Sequence, residues 1–202
     1  MIDGYPAAEI LNLGCGIRPS ESPRVLNIDW SPTLRIAKSP VLRRVAPLVL
    51  DPVRLERVTS MPENIVTHDL RKGIPFEDGS VAAVYHSHVL EHIDRDQADG
   101  FMAEIHRVLR PGGIHRVVVP DLETLTRRYI ADLENGSGPE PGHDQRVAAI
   151  LEQSVRREAQ ESALKKPFRR RIENLLLGDA RKRGETHQWM YDRVNLAELQ
   201  DV

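Results

Sequence analysis

ILNLGCG at residues 10–16, followed by VLNID at residues 25–29, is the stretch that decides the fold. Ile10, Leu11 and Leu13 form a short apolar run that breaks at Gly14-Cys15-Gly16. A second run, Val25-Leu26-Asn27-Ile28, ends on the carboxylate of Asp29. In a parallel α/β sheet this is the layout of a nucleotide-sized ligand site. Glycines at the end of the first strand let the backbone approach the ligand, and an acid at the tip of the second can accept from two ribose hydroxyls. A glycine pair by itself marks ordinary turns. Set between two strands and followed by Asp29, it points to a ligand loop.

Which ligand is decided by what the loop lacks. A dinucleotide fingerprint needs a third glycine three residues after the second, where a helix N-terminus meets a pyrophosphate. That position is Pro19, and Pro23 follows. Only residues 14–24 separate the two strands, close to the minimum of ~10–12 residues for a crossover. There is room for a turn or two of helix and little support for a pyrophosphate anchor. A ligand carrying adenosine without phosphate fits better, and S-adenosylmethionine is the common one.

The remaining composition excludes several classes. At 202 residues the chain suits one domain with a proper core, or a domain with a helical appendage. A net charge of −2 implies no global attraction to nucleic acid or anionic membrane. Cys15 is the single cysteine, so no intrachain disulfide forms and a reducing compartment is indicated. Its place in the glycine loop suits a small packing residue. The first eight residues lack the basic start and apolar core of a secretory signal, and no apolar run approaches the ~20 residues of a membrane span. The expectation is a cytoplasmic α/β protein.

Along the chain, strands are expected at 9–13, 25–29, 64–68, 81–85 and 115–119. The fourth is apolar almost throughout, as a strand buried on both faces requires. Between strands two and three, Pro32, Pro40, Pro47 and Pro52 should chop any helix into short pieces. Residues 87–93 and 97–109 carry helical spacing, the latter with Phe101, Ile105, Val108 and Leu109 on one stripe, and Arg110-Pro111-Gly112-Gly113 stops it. After Pro120 the texture becomes helical. Asp121 can cap a helix to about Leu133, a Gly/Pro-rich loop covers 134–142, and helices are expected at 145–163 and 168–177.

These pieces together resemble class I S-adenosylmethionine-dependent methyltransferases over roughly residues 9–120. LNLGCG (11–16), Asp29, HDL (68–70), LRKGIPFEDGSVAAVYHSHVLEHI (70–93) and RVLRPGG (107–113) carry the resemblance. The form with a short first helix is similar to a group of small bacterial members of unassigned substrate, and THQWMYD (186–192) resembles a late motif of that group. The resemblance implies a Rossmann-like parallel sheet in the order 3-2-1-4-5, flanked by helices, with S-adenosylmethionine across the carboxyl ends of the strands. It implies that the backbone of Gly14, Cys15 and Gly16 lies against the cofactor and that Asp29 takes the ribose hydroxyls. Asp69 and the backbone of Leu70 would meet the adenine edge, and His86 and Ser87 would border the sulfonium. Asn12 stands where the family has an acid, so its contact to the methionine ammonium should be weaker or made differently. The family's C-terminal hairpin is not expected within these residues: a short chain, a hairpin supplied by another chain and a helical tail in its place are the alternatives, and a mainly helical C-terminal segment is expected. The division expected is a cofactor-binding core at 1–120 and a helical cap at 121–202, covering the cleft or forming an oligomer contact. An uncovered fifth strand is an association hazard, so the tail, a second protomer or a partner chain should cover that edge.

Three other features have competing readings. His88-Val89-Leu90-Glu91-His92 matches the inverted zincin pattern, in which two histidines one helical turn apart chelate zinc and the glutamate serves as base. A third acidic ligand is not evident, and the same letters fall in register with the methyltransferase segment after strand four. No metal is expected. The basic residues Lys165, Lys166, Arg169, Arg170, Arg171, Arg181, Lys182 and Arg183 read as a solvated face. With Phe168 alone interleaved, nucleic-acid readout is disfavoured. His187, Trp189, Tyr191 and Asp192 read either as a packing anchor with Trp189 and Met190 buried, or as a segment that brings His187 or Tyr191 to a methyl acceptor. The function expected is methyl transfer to a small molecule such as a sugar, a nucleotide sugar or another metabolite. His92 and His187 are the candidate catalytic groups. The alternatives are a non-catalytic cofactor-binding module and, behind it, a zinc hydrolase.

Overall fold

The computed structural model describes residues 8–16, 18–50, 52–61, 64–134, 147, 148, 150, 151 and 187–200. Five strands, β1 (Ile10–Leu13), β2 (Val25–Asp29), β3 (Ile65–Thr67), β4 (Val81–Ser87) and β5 (Leu109–Val118), form one sheet in the order β3-β2-β1-β4-β5. Every pairing is parallel. A parallel sheet needs crossovers that cover its faces, which is why β1 and β2 are apolar almost throughout, with Leu11, Leu13 and Ile28 fully buried.

The prolines of residues 31–60 begin helices as well as interrupt them. α1 (Pro32–Lys38) and α2 (Pro40–Val49) each start with proline at a first-turn position, behind Ser31 and Ser39. Those serine hydroxyls accept from Leu34 N and Leu42 N at 3.3 Å. Proline has no N–H to lose there and its φ already suits the helix, so Ser-Pro makes a strong start. Pro47 lies inside α2, and α3 (Pro52–Thr59) opens on another proline. Leu34 of α1 packs with Cys15 and Ile65, with Met61 against them.

α4 (Arg95–Val108) buries Ala98, Phe101, Met102, Ile105 and Val108, a spacing of three and four that keeps one stripe inward. The chain then enters β5 directly. Val81 pairs with Leu109 and Ala83 with Ile114, so Arg110-Pro111-Gly112-Gly113, expected to stop the helix ahead of a strand at 115–119, bulges out of the beginning of β5. Gly112 has φ 73, and a Cβ on Gly113 would lie 2.9 Å from the Arg110 carbonyl oxygen. Those two positions need glycine.

α5 (Leu122–Glu134) is capped by Asp121, whose carboxylate accepts from Thr124 N at 3.2 Å. α6 (Arg193–Gln200) is capped by Asp192, which accepts from Val194 N and Asn195 N, while the Asn195 side chain accepts from Asp192 N. Among the described residues no strand follows β5, apart from a single parallel bridge between Asp121 and Tyr191. The helices expected at 145–163 and 168–177, the loop at 134–142 apart from Glu134 and the basic residues 165–183 lie outside the described residues, save 147, 148, 150 and 151. The chain divides into two compact units. One is Met1–Ser87 with Gly100–Val118; the other is His88–Asp99 with Val119–Val202.

The helix expected at 87–93 does not form. Ser87 closes β4, His88 takes a left-handed φ of 56, and only a 3-10 turn at Leu90–His92 follows. The Glu91 carbonyl, which a helix would have paired four residues on, instead accepts from Gln188 N and Trp189 N. His88 and His92 therefore do not share a helical face.

Candidate functional site

In the sheet unit, register sets the ligand end. Leu13 is paired with both Ile28 and His86, so Gly14, Asp29 and Ser87 follow as neighbours at the carboxyl ends of β1, β2 and β4. The Asp29 carbonyl accepts from His68 N, which brings Asp69 to the same edge after β3. This edge is where open α/β sheets take their ligands.

Gly14 and Gly16 have φ 63 and 55, a region L side chains rarely adopt. A Cβ built on Gly16 meets nothing within 4 Å, so the loop leaves open space beside its backbone. The Asp29 side chain is what shapes this loop. One carboxylate oxygen accepts from Gly16 N at 2.9 Å and the other from Ser31 N at 2.6 Å. Each oxygen keeps a second lone-pair direction for a ligand donor. The Cys15 thiol is pushed up to about 12, first by burial and then by the Asp29 charge, and it is a packing group.

Asn12 owes its place to a partner on the next strand. Asn12 and Asn27 are register neighbours, and the Asn12 amide donates to Asn27 Oδ1 at 2.9 Å. Asn27 Oδ1 also accepts from Ser20 N at 2.8 Å, and its Nδ2 donates to the Ser20 carbonyl at 2.9 Å. Asn64 donates to the same carbonyl. These neutral amides anchor the link between β1 and β2.

Asp69 is gripped by Arg71. Nε and Nη2 of the guanidinium each lie 2.8 Å from a different carboxylate oxygen, and Arg71 N donates to one of them. The guanidinium holds the Asp69 carboxyl below its ordinary value. Leu70 opens the 3-10 turn that follows. The His86 ring is wholly buried, edge-on to Phe101 with Nε2 2.9 Å from Nε2 of His115. Burial, then the neighbouring His115, lowers His86 to about 3; burial, then His106, lowers His115 to about 4. The His86 side chain is thus a core group, and only its backbone and Ser87 remain to meet a ligand.

The second unit contains another cluster. His187 packs edge-on to His92, ring centroids 4.7 Å apart. One ligand atom each of Glu91, His92 and His187 lies within 4.8 Å of the other two. Glu91 is fully buried. Its Oε1 is 3.0 Å from His88 Nδ1, while Oε2 has no partner among the described residues. Burial pushes the Glu91 carboxyl up, and a backbone hydrogen bond, His88 and His187 pull against it. Met190 and Tyr191 are buried and Trp189 is 41% exposed, so the packing anchor is Met190-Tyr191, in place of the Trp189-Met190 pair expected. The Tyr191 hydroxyl is buried with no partner among the described residues, and pushed up to about 12 chiefly by burial. Asp192 is a helix cap.

A parallel sheet with a left-handed glycine loop after β1 and acids after β2 and β3 defines a nucleoside-binding α/β protein. Comparison with known proteins narrows the class. A family model described as "Methyltransferase domain" matches residues 11–117, just over half of the 202. The chain belongs to that family, whose cofactor is S-adenosylmethionine. It is 33% identical over 147 residues to an uncharacterized 37.1 kDa protein in a transposon of Streptomyces fradiae, covering 66% of this chain and 36% of that one. It is 37% identical over 87 residues to a probable S-adenosylmethionine-dependent methyltransferase of Mycolicibacterium smegmatis, covering 43% and 33%. The chain thus spans about a third of the length of the curated relatives it matches. The solved YcgJ protein of Bacillus subtilis aligns over 74% of this chain and 62% of its own, at 16% identity and a TM-score of 0.34. No described helix is long and apolar enough to cross a membrane.

Proposed function

We propose that this domain transfers a methyl group from S-adenosylmethionine to a small-molecule acceptor. The observation that carries the reading is the Gly14–Asp29–Ser87 row at the carboxyl ends of three adjacent parallel strands, with both loop glycines at positive φ. The loop fits the cofactor: there is open space beside Gly16, and the Asp29 oxygens each retain a lone pair. Gly14, Cys15 and Gly16 lend backbone to the methionine and ribose portions, and Asp29 takes the ribose hydroxyls. Asp69 and the backbone of Leu70 meet the adenine edge, with Arg71 fixing the carboxylate. Ser87 and the His86 backbone hold the amino-acid end. Asn12, committed to Asn27, adds no charge for the ammonium.

When bound, the cofactor would supply a sulfonium methyl group: an acceptor lone pair would attack the methyl carbon in line, and the S–C bond electrons would return to sulfur as S-adenosylhomocysteine leaves as a thioether. The chain's task is then alignment and exclusion of water. A proton acceptor is needed only for an acceptor that keeps its proton at neutral pH, as a hydroxyl does. While no metal ion occupies them, His92 and His187 are the groups we assign to that proton. Calorimetry with S-adenosylmethionine and S-adenosylhomocysteine, followed by transfer of labelled methyl to a panel of sugars, nucleotide sugars and other small hydroxyl and amine compounds, tests the reading. Binding with turnover on a panel member is the expected result. Binding without turnover on any would point to a cofactor-binding module, and absence of binding would overturn both.

A further inference from the structure

We propose that Glu91, His92 and His187 form a binding site for a divalent first-row transition-metal ion. The site differs from the zincin pattern of residues 88–92, which needed a helix that the chain does not make there. Its third ligand comes from nearly a hundred residues further on.

The backbone builds the cluster. Gln188 N and Trp189 N both donate to the Glu91 carbonyl, at 2.6 and 3.3 Å, and this double contact fixes His187 beside Glu91 and His92. Two imidazoles and one carboxylate are a donor set that suits zinc, iron, cobalt or nickel, whereas calcium and magnesium want oxygen throughout. The three ligand atoms lie within 4.8 Å of one another. Ligand atoms around an ion at ~2.0–2.2 Å sit roughly 3–3.5 Å apart, so side-chain rotations of about 1–2 Å close the site. The carboxylate is prepared for it. His88, held at a left-handed φ, engages Oε1, and Oε2 is left buried with no partner among the described residues. A buried carboxylate oxygen without a donor is costly, and a cation is the partner that removes the cost. The Tyr191 hydroxyl is also buried, with no partner among the described residues, and it lies close enough for the Glu91 charge to act on it. Three protein ligands leave coordination positions open, as in sites where an ion meets a substrate oxygen.

A neutral imidazole has one lone pair, so metal ligation and proton acceptance by His92 and His187 are alternatives. Metal titration decides between them without any turnover. The whole chain, stripped by chelator and dialysed, is titrated with cobalt(II) and zinc(II) by calorimetry, and cobalt is followed by its visible absorption. We expect one ion per chain, with affinity falling about tenfold or more in His92→Ala, His187→Ala and Glu91→Gln. His106→Ala, an exposed histidine of α4, should change nothing. If Glu91→Gln fails to fold, the two histidine variants decide alone, with circular dichroism confirming their fold. Affinity no tighter than about 1 mM, or stoichiometric binding indifferent to both histidine variants, would overturn the site. S-adenosylhomocysteine affinity of the same metal-free protein reports on the methyl-transfer reading separately.

Discussion

Asp29 holds the loop with the same two oxygens that we assign to the ligand. Asp29→Asn keeps the shape but leaves an amide N–H₂ facing one of the backbone donors of Gly16 and Ser31. The variant should lose about 1–2 kcal/mol of stability along with about 1.5–3 kcal/mol of S-adenosylhomocysteine affinity. Calorimetry well below the melting temperature, paired with urea unfolding, separates the two losses; unchanged affinity would remove Asp29 from the cofactor site. Asn12 shows the same entanglement. Restoring the family's acid by Asn12→Asp sets a carboxylate against Asn27 Oδ1, and flipping Asn27 would break its two contacts to Ser20. The expected cost is about 1–3 kcal/mol of folding free energy by denaturant titration. In sequence, Asn12 was visible as a departure. Its cause was not, because strand register, which no residue spells out alone, makes Asn27 its neighbour.

Between elements, Arg107 ties α4 to the turn that precedes β4. It donates to the Ile74 and Phe76 carbonyls and pairs with Asp78 and Glu104, while Glu104 accepts from Ile74 N. That guanidinium and the Ile74 N–H lower Glu104 to about 2. Arg107→Ala should cost about 2–4 kcal/mol in urea unfolding, with Arg107→Lys recovering only part, since an ammonium cannot span the four acceptors. The His86–His115 pair joins β4 to β5 as two neutral rings. Both fold with values below the ordinary ~6.5, so the unfolded chain binds protons that the native chain refuses. Stability from this pair is intact above about pH 6.5 and falls as pH drops toward 4 and then 3. Between pH 6.5 and 4.5 the buried His86 alone should remove on the order of 2 kcal/mol, and His86→Gln should flatten the slope. β1 and β2 were legible, since a buried parallel strand is apolar almost throughout; β5, with no buried residue, begins at Leu109, six residues ahead of the 115–119 expected. The segment after β4 was not. Its apolar spacing suits a helix, and only the long-range contact from Gln188 and Trp189 to the Glu91 carbonyl decides otherwise.

For the molecule as a whole, order of strands and cofactor class were readable because the motifs from ILNLGCG to RVLRPGG together resemble one family, and the resemblance implies both. The Glu91–His92–His187 cluster depends on a return of the chain, and its two histidines could be named from the residues, but not its carboxylate as their companion. The acceptor leaves no comparable mark. One further property follows from the glycine loop holding the chain's sole sulfur. A thiol reagent has a single target, Cys15, and in the closed loop that target is both buried and held near 12, with almost no thiolate at pH 8. Alkylation must then wait for the loop to spring open, which makes its rate a stopwatch on cofactor-loop breathing. We expect modification at pH 8 about a hundredfold or more slower than in the urea-unfolded chain, and slower again with S-adenosylhomocysteine present. A mass spectrometer counting one added label would time that opening.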